Sequence, residues 1–247
     1  SILNGAEWIR VANDSKAYTG SPLATFNVNS TADIFIAYDD RITTKPSWFT
    51  GWTDTGTDIK DNQSTPITYS VFKKTVMGGT TVTLGPNGNT SYCLYSVFAK
   101  PVTIMSNLTV SDTANEMDWS IRTNPVTGSL LFGDRTLTIA TLPSILTGAE
   151  WIRPANDSKA YTGSTLATFK VNVNTDVYIA FDDRVTTKPS WFTGWTDTGS
   201  DVKDNQSTQV TYSVFKKTFT AGTTVTLGPT GNSSFCQYVI FSKPQGL

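Results

Sequence analysis

Two short clusters, each present twice, hold the side chains best suited to chemistry. The first is Pro46-Ser47-Trp48-Phe49-Thr50-Gly51-Trp52-Thr53-Asp54-Thr55-Gly56, which returns letter for letter as Pro189 to Gly199. Trp48 and Trp52 are four residues apart, as are Trp191 and Trp195, and that spacing puts both indoles on one side of a helix or a strand. Phe49 then points elsewhere, as the anchor. Indole faces pack on the C–H faces of pyranose rings while neighbouring polar groups bond the hydroxyls, so paired coplanar indoles suit an extended sugar polymer. Lys45 and Lys188, just ahead of each cluster, are its polar partners. The competing reading makes each Trp pair a plug at one end of a β-sandwich, since two exposed indoles without a ligand cost solubility.

The second cluster is Tyr38-Asp39-Asp40-Arg41, repeated as Phe181-Asp182-Asp183-Arg184. Adjacent carboxylates lie on opposite faces of a strand, so Asp39 shares a side with Arg41 and Asp40 with Tyr38. That is poor geometry for a glycosidase pair, which needs two carboxyls facing one another across the substrate, and leaves an acid pair only to distant segments. Arg41 and Arg184 could instead hold a sugar carboxylate or ketal bidentately, with Asp40 and Asp183 beside them; the plainer alternative is that each Arg clamps its neighbouring Asp or a loop carbonyl. A third group, Asn13-Asp14-Ser15-Lys16, reads as a helix cap or Asx turn. With Asp40 or Asp54 it also offers oxygen ligands to a structural calcium, though without EF-hand spacing. No cofactor is required by any of these arrangements.

Composition narrows the chemistry further. The 247 residues contain no histidine, which removes His-based acid/base catalysis, Ser-His-Asp and Cys-His nucleophiles and most catalytic zinc sites. Lys and Arg number 19 against 20 for Asp and Glu, so there is no field to draw a nucleic acid or an anionic membrane. Two cysteines, Cys93 and Cys236, are too few for a disulfide framework or a thiolate cage. The sequence opens at Ser1 without a leader or any long apolar run, which reads as a mature fragment of a larger, secreted, extracellular chain.

An internal duplication positions these clusters. Residues 2–101 match 145–244 without insertion, at the constant separation of Trp8 from Trp151. Ile34/Val177, Phe35/Tyr178, Tyr38/Phe181, Ile42/Val185 and Ile67/Val210 are apolar exchanges of similar volume, as expected of a core; Asn27/Lys170, Leu94/Gln237 and Pro66/Gln209 change character and are expected to face water. Strand-like runs cover 24–28, 33–38, 67–74, 80–84 and 92–99, separated by Gly, Pro and Asn, and no window has a sustained helical period. Parity in 92–98 puts Cys93, Tyr95 and Val97 inward, each Cys in the core of its own copy. Residues 102–144 have no second copy, yet read as strands over 102–110, 117–121 and 135–141.

The runs Gly148-Ala149-Glu150-Trp151-Ile152-Arg153, Ala155-Asn156-Asp157-Ser158-Lys159, Val177 to Arg184, Pro189-Ser190-Trp191 and Gly194-Trp195-Thr196-Asp197-Thr198-Gly199 resemble accessory modules of secreted bacterial polysaccharide lyases and glycoside hydrolases, including those of the xanthan-degrading type. Ala114-Asn115, Asp118-Trp119-Ser120-Ile121 and Gly133-Asp134-Arg135 resemble what precedes that region in such proteins, which groups 102–144 with the second copy. The first copy lacks that preceding segment, so its completeness is left open. The resemblance implies a β-sandwich, carbohydrate-binding module without catalytic activity.

The expected fold is therefore all-β: two tandem β-sandwich (jelly-roll-like) modules, one over 1–101 and one over 102–247. The expected function is a tandem carbohydrate-binding region that anchors a parent enzyme on an extracellular, anionic polysaccharide through Trp48, Trp52, Trp191 and Trp195, with polar contacts from Arg41, Asp40, Lys45, Arg184, Asp183 and Lys188. The alternative is a structural spacer or surface repeat whose Trp loops pack between modules. Catalysis by carboxylates ranks last, given no histidine and no facing acid pair.

Overall fold

Runs of Thr, Val, Ile and aromatics favour strands, and the Gly, Pro and Asn between them force turns. In the computed structural model, which describes residues 2–246, these runs form antiparallel sheets in two compact units, one ending at Val102 and the other beginning at Thr103.

The first unit contains β1 (Glu7–Ile9), β2 (Ala24–Asn27), β3 (Ala32–Asp39), β4 (Thr53–Lys60), β5 (Thr68–Val76), β6 (Thr81–Leu84) and β7 (Ser96–Pro101). They make a five-stranded sheet in the order β1-β7-β3-β5-β4 and a two-stranded sheet, β2-β6. Successive side chains of a strand point to opposite faces. Ile34, Ile36 and Tyr38 of β3 therefore meet Val82 and Leu84 of β6 in the core, while Phe35 and Ala37 join Val71 on the outer face of the larger sheet.

The second unit contains β8 (Met105–Val110), β9 (Ser120–Thr123), β10 (Ile139–Thr141), β11 (Glu150–Arg153), β12 (Ala167–Val171), β13 (Thr175–Asp182), β14 (Thr196–Asp204), β15 (Thr211–Phe219), β16 (Thr224–Leu227) and β17 (Val239–Pro244). The larger sheet runs β10-β14-β15-β13-β17-β11-β9 and the smaller β16-β12-β8. Between them lies a core of Phe169, Val171, Val177, Ile179, Phe181 and Ile240, among others. A second apolar layer covers the outer face, where Leu131, Phe132, Ile139 and Leu146 meet Trp151, Tyr212, Val214 and Phe241. The fold class is thus all-β and sandwich-like, as the strand-like runs imply.

Several details depart from the sequence reading. The edge strand β4 lies outside the strand-like runs of the sequence, because Thr-Asp-Thr-Gly-Thr-Asp is rich in poor strand formers. Its pairing with β5 shifts register between Asp54 and Thr57, around Gly56 at φ 68°, which is a bulge only glycine accepts readily. The second unit repeats it around Gly199 at φ 69°. Residues 92–95 precede the regular part of β7, so strand parity does not hold there. Leu94 and Gln237, expected to face water, are both buried, and their amides donate to Asn13 Oδ1 and Asn156 Oδ1. That long reach also corrects the capping role of Asn13: the short 3-10 turn Asn13–Ala17 has no side-chain cap. Tyr95 and Val97 are inward as expected, but Cys93 is only half-buried while Cys236 is buried, and both are free thiols.

Candidate functional site

Each copy ends its central strand in the Asp-Asp-Arg run, and the first carboxylate of that run is fully buried in both. Asp39 accepts hydrogen bonds from Arg41 Nε at 2.9 Å, Arg41 Nη2 at 2.6 Å and the amides of Arg41 and Cys93 at 3.0 Å. Burial alone would raise the pKa of Asp39; the guanidinium and the two amides outweigh it and hold the carboxyl below its usual range. Asp182 repeats the arrangement with Arg184 and Cys236, with the same net lowering. The clamp was the plainer of the two readings of Arg41, and the structure adopts it. The guanidinium also lies 4.7 Å from the Tyr92 ring centroid, and that of Arg184 lies 4.9 Å from Phe235. Among the described residues Nη1 of each makes no hydrogen bond, and the side chains remain 43% and 44% exposed, so one edge of each clamp can still meet a ligand oxygen.

Asp40 and Asp183 stand on the other side of the strand end. Asp40 accepts from the amide and hydroxyl of Ser70, and Asp183 from the amide of Ser213. In the first unit Asp40 and Arg41 line a shallow depression of about 640 Å³ with Gln63, Thr65 and Thr68.

Lys45 lies against aromatic rings. Its Nζ is 4.5 Å from the Tyr38 centroid and donates to the carbonyl of Ile42 at 2.8 Å; Lys188 repeats this over Phe181 and Val185. Burial lowers the Lys45 pKa, against the pull of the Asp40, Asp39 and Asp54 carboxylates, and Lys188 is lowered in the same way among Asp183, Asp182 and Asp197.

The Trp pair divides into two roles. Phe49 is the buried anchor, as its place in the run implies. Trp48 is half-buried at the core edge, donates Nε1 to the carbonyl of Pro86 at 2.8 Å, and lies so close to Gly85 that a Cβ there would meet its ring at 2.2 Å. Trp191 does the same with Pro229 and Gly228. Trp52 stacks on Phe49 with centroids 5.7 Å apart, and Trp195 on Phe192 at 5.6 Å; both are half-buried, and among the described residues neither Nε1 is hydrogen-bonded. The expected coplanar pair is not formed. With Phe49 turned 76° from Trp48 and 21° from Trp52, the two indole planes stand at least 55° apart. In the second unit the corresponding angles of 88° and 9° leave at least 79°. A four-residue spacing fixes the side on which two rings lie, but their tilt follows from what they pack on, and Trp48 packs on a glycine.

No protein-family model matches the chain, and no curated protein matches it. A solved structure of a β-glucuronidase from glycoside hydrolase family 2 is similar to it, with TM-score 0.51 and 16% sequence identity over 91% of this chain and 26% of that one. The likeness is one of fold. The chain spans about a quarter of the length of that enzyme chain.

Around Lys45 the structure gathers Asp40, Asp39 and Asp54, with Trp52 two residues before Asp54 in the chain; Lys188 gathers Asp183, Asp182 and Asp197, with Trp195 two residues before Asp197. Asp54 belongs with Lys45 electrostatically, a link that its position after the second Trp suggests. The rings of Tyr92 and Phe235 behind the Arg residues were not foreseen, since 51 positions separate Arg41 from Tyr92 and nothing local marks the pairing. As for calcium, Asn13 Oδ1 already holds an amide. Among the described residues no group of three or more acidic or thiol side chains stands at metal-binding spacing.

Proposed function

We propose that this chain is a non-catalytic carbohydrate-binding region with one site in each unit. The observation that carries the reading is the repetition, in two units, of a half-buried indole with an unused N–H, stacked on the anchor phenylalanine and standing two residues before one of the carboxylates that surround a lysine. Trp52 and Trp195 offer the flat apolar surface that the C–H face of a sugar ring requires. Asp40, Asp54 and their counterparts accept from hydroxyls, and the outer edge of Arg41 or Arg184 donates to a hydroxyl or to a uronate or ketal carboxylate. The fold likeness to a portion of a glycoside hydrolase family 2 β-glucuronidase supports a setting among carbohydrate-active enzymes, with the chain as an accessory region. Two weak sites on one chain gain avidity on a polymer that spans both, which gives the duplication a use on an extracellular, anionic polysaccharide.

A structural reading is favoured for one residue of each pair: Trp48 and Trp191 have committed their N–H groups and are wedged against glycines, so they hold the loop that presents Trp52 and Trp195. The test is affinity electrophoresis of the full chain in gels containing neutral or anionic polysaccharides. Retarded migration in at least one glycan is expected, relieved by Trp52→Ala with Trp195→Ala while the melting temperature changes little. Unretarded migration in every gel, or retardation that survives the double substitution, overturns the proposal.

A further inference from the structure

The two units share a repeat but differ in what covers it. In the second unit residues 103–143 supply three edge strands: β8 pairs with β12, β9 with β11 and β10 with β14. In the first unit the matching strands β2, β1 and β4 are sheet edges, with backbone groups open to another strand. The side chains agree. Trp8 is 57% exposed where Trp151 is 3%, and Ile9 is 39% exposed where Ile152 is fully buried. Tyr69 and Phe98 are half-buried, whereas Tyr212 and Phe241 are enclosed beneath Leu131, Phe132 and Ile139.

A groove of about 370 Å³ in the first unit runs along Glu7, Trp8, Ile9, Phe26, Val28 and Ala99. Its counterpart in the second unit is occupied: the amides of Ile104 and Met105 donate to the Glu150 carboxylate at 2.9 and 2.8 Å, and both side chains are buried in the core. Elsewhere in the segment Trp119 enters that core and donates to Ser158, and Asp134 accepts the amides of Asn156 and Asp157. The matching groups Glu7, Asn13 and Asp14 are exposed, and Ser15 is half-exposed.

We infer that the first unit is an acceptor for a further polypeptide segment of the pattern seen in residues 103–143: an apolar pair for the groove, a tryptophan, a Leu-Phe pair, an Asp-Arg clamp and a closing edge strand. The interaction is strand addition, with main-chain hydrogen bonds along three open edges and side chains filling defined seats. A second copy of this chain is the wrong source, because each chain has two acceptor frames and one such segment, so lending it would strip the lender's own second unit.

Two experiments on the full chain test this. A synthetic peptide of residues 103–143 is added, and amide exchange is followed by mass spectrometry. In a second variant the same residues are fused directly ahead of Ser1, at the junction that Ser144 occupies in the second unit. A one-to-one complex is expected, with exchange at Glu7–Ile9, Ala24–Asn27 and Thr53–Lys60 slowed by about ten-fold or more and Trp8 emission shifted to the blue. The fusion should show the same changes, and lose them when its own Trp119→Ala and Phe132→Ala equivalents are introduced. Unchanged exchange and emission in the fusion overturn the inference. So does self-association of the untreated chain that protects Glu7–Ile9, which would make a second copy the occupant, or protection of that strand by a polysaccharide alone.

Discussion

Glu7-Trp8-Ile9-Arg10 and Glu150-Trp151-Ile152-Arg153 are the same four residues at the same place in the same repeat, and the first run lies exposed while the second is buried through Ile152 and half-buried at Arg153. Composition cannot account for this. Burial here belongs to the neighbours: β9 beside β11, Ile104 and Met105 on Glu150, and Leu131 and Phe132 over the outer face. By contrast the Trp loop has nearly the same geometry in both units, down to the hydrogen bonds of Trp48 and Trp191. The duplication therefore keeps its loop end constant while its edges differ.

The largest test of that contrast is Trp151→Ala against Trp8→Ala. Emptying a buried Trp site should cost the second unit about 3–5 kcal/mol. The exposed twin should change its unit by no more than about 0.5 kcal/mol. Denaturant unfolding read by unit-resolved hydrogen exchange measures both, and equal losses would dissolve the comparison. Next in size, Gly85→Ala and Gly228→Ala should each cost about 1–3 kcal/mol by overpacking against Trp48 or Trp191. Here the two units should respond alike, because the loop end does not depend on the covering segment.

Acidity sharpens the contrast at smaller scale. Asp39 and Asp182 have pKa values held below normal, so their contribution is present above the ordinary carboxylate value of about 4 and is lost as pH falls through the lowered values, in both units. Glu150 has the opposite sign. Burial raises its pKa despite the amides of Ile104 and Met105, so its contribution is full below the ordinary value and is lost as pH rises through the raised one. Glu150→Gln should flatten that second dependence in the second unit only, as seen in stability measured from acid to neutral pH. A modest effect is expected from Tyr38→Phe, which removes a hydrogen bond to the Asn87 carbonyl and gives the first unit the residue that the second carries as Phe181. A loss of about 1 kcal/mol in thermal unfolding is expected.

Much of the fold was legible because β2, β3, β5 and β6 are rich in Thr, Val, Ile and aromatics and lie between clear turns. The Arg-Asp clamp was legible from the short separation of the two residues, although Arg41 and Arg184 lie in the turn after β3 and β13 and reach back to the last strand residue instead of sharing a strand face with it. Strand β4 was hidden by its Asp and Gly, which suit a bulged edge better than a typical strand. Gln237 was misread because polarity stood in for exposure at a position just before regular pairing begins. The tilt of the two indoles and the seat of Tyr92 under Arg41 arise from contacts 37 to 51 positions away, between Trp48 and Gly85 and between Arg41 and Tyr92, and local spacing carries no trace of them.

The half-buried Cys93 and the buried Cys236 give the uncovered edge a consequence in the language of labelling. A thiolate must be reached before it can react, and the two thiols lie in matching seats with unequal cover. A bulky maleimide should therefore mark Cys93 first, giving a native single-site tag that tells one copy from its twin. The rate of that reaction reads how open the first unit is, with no engineered residue.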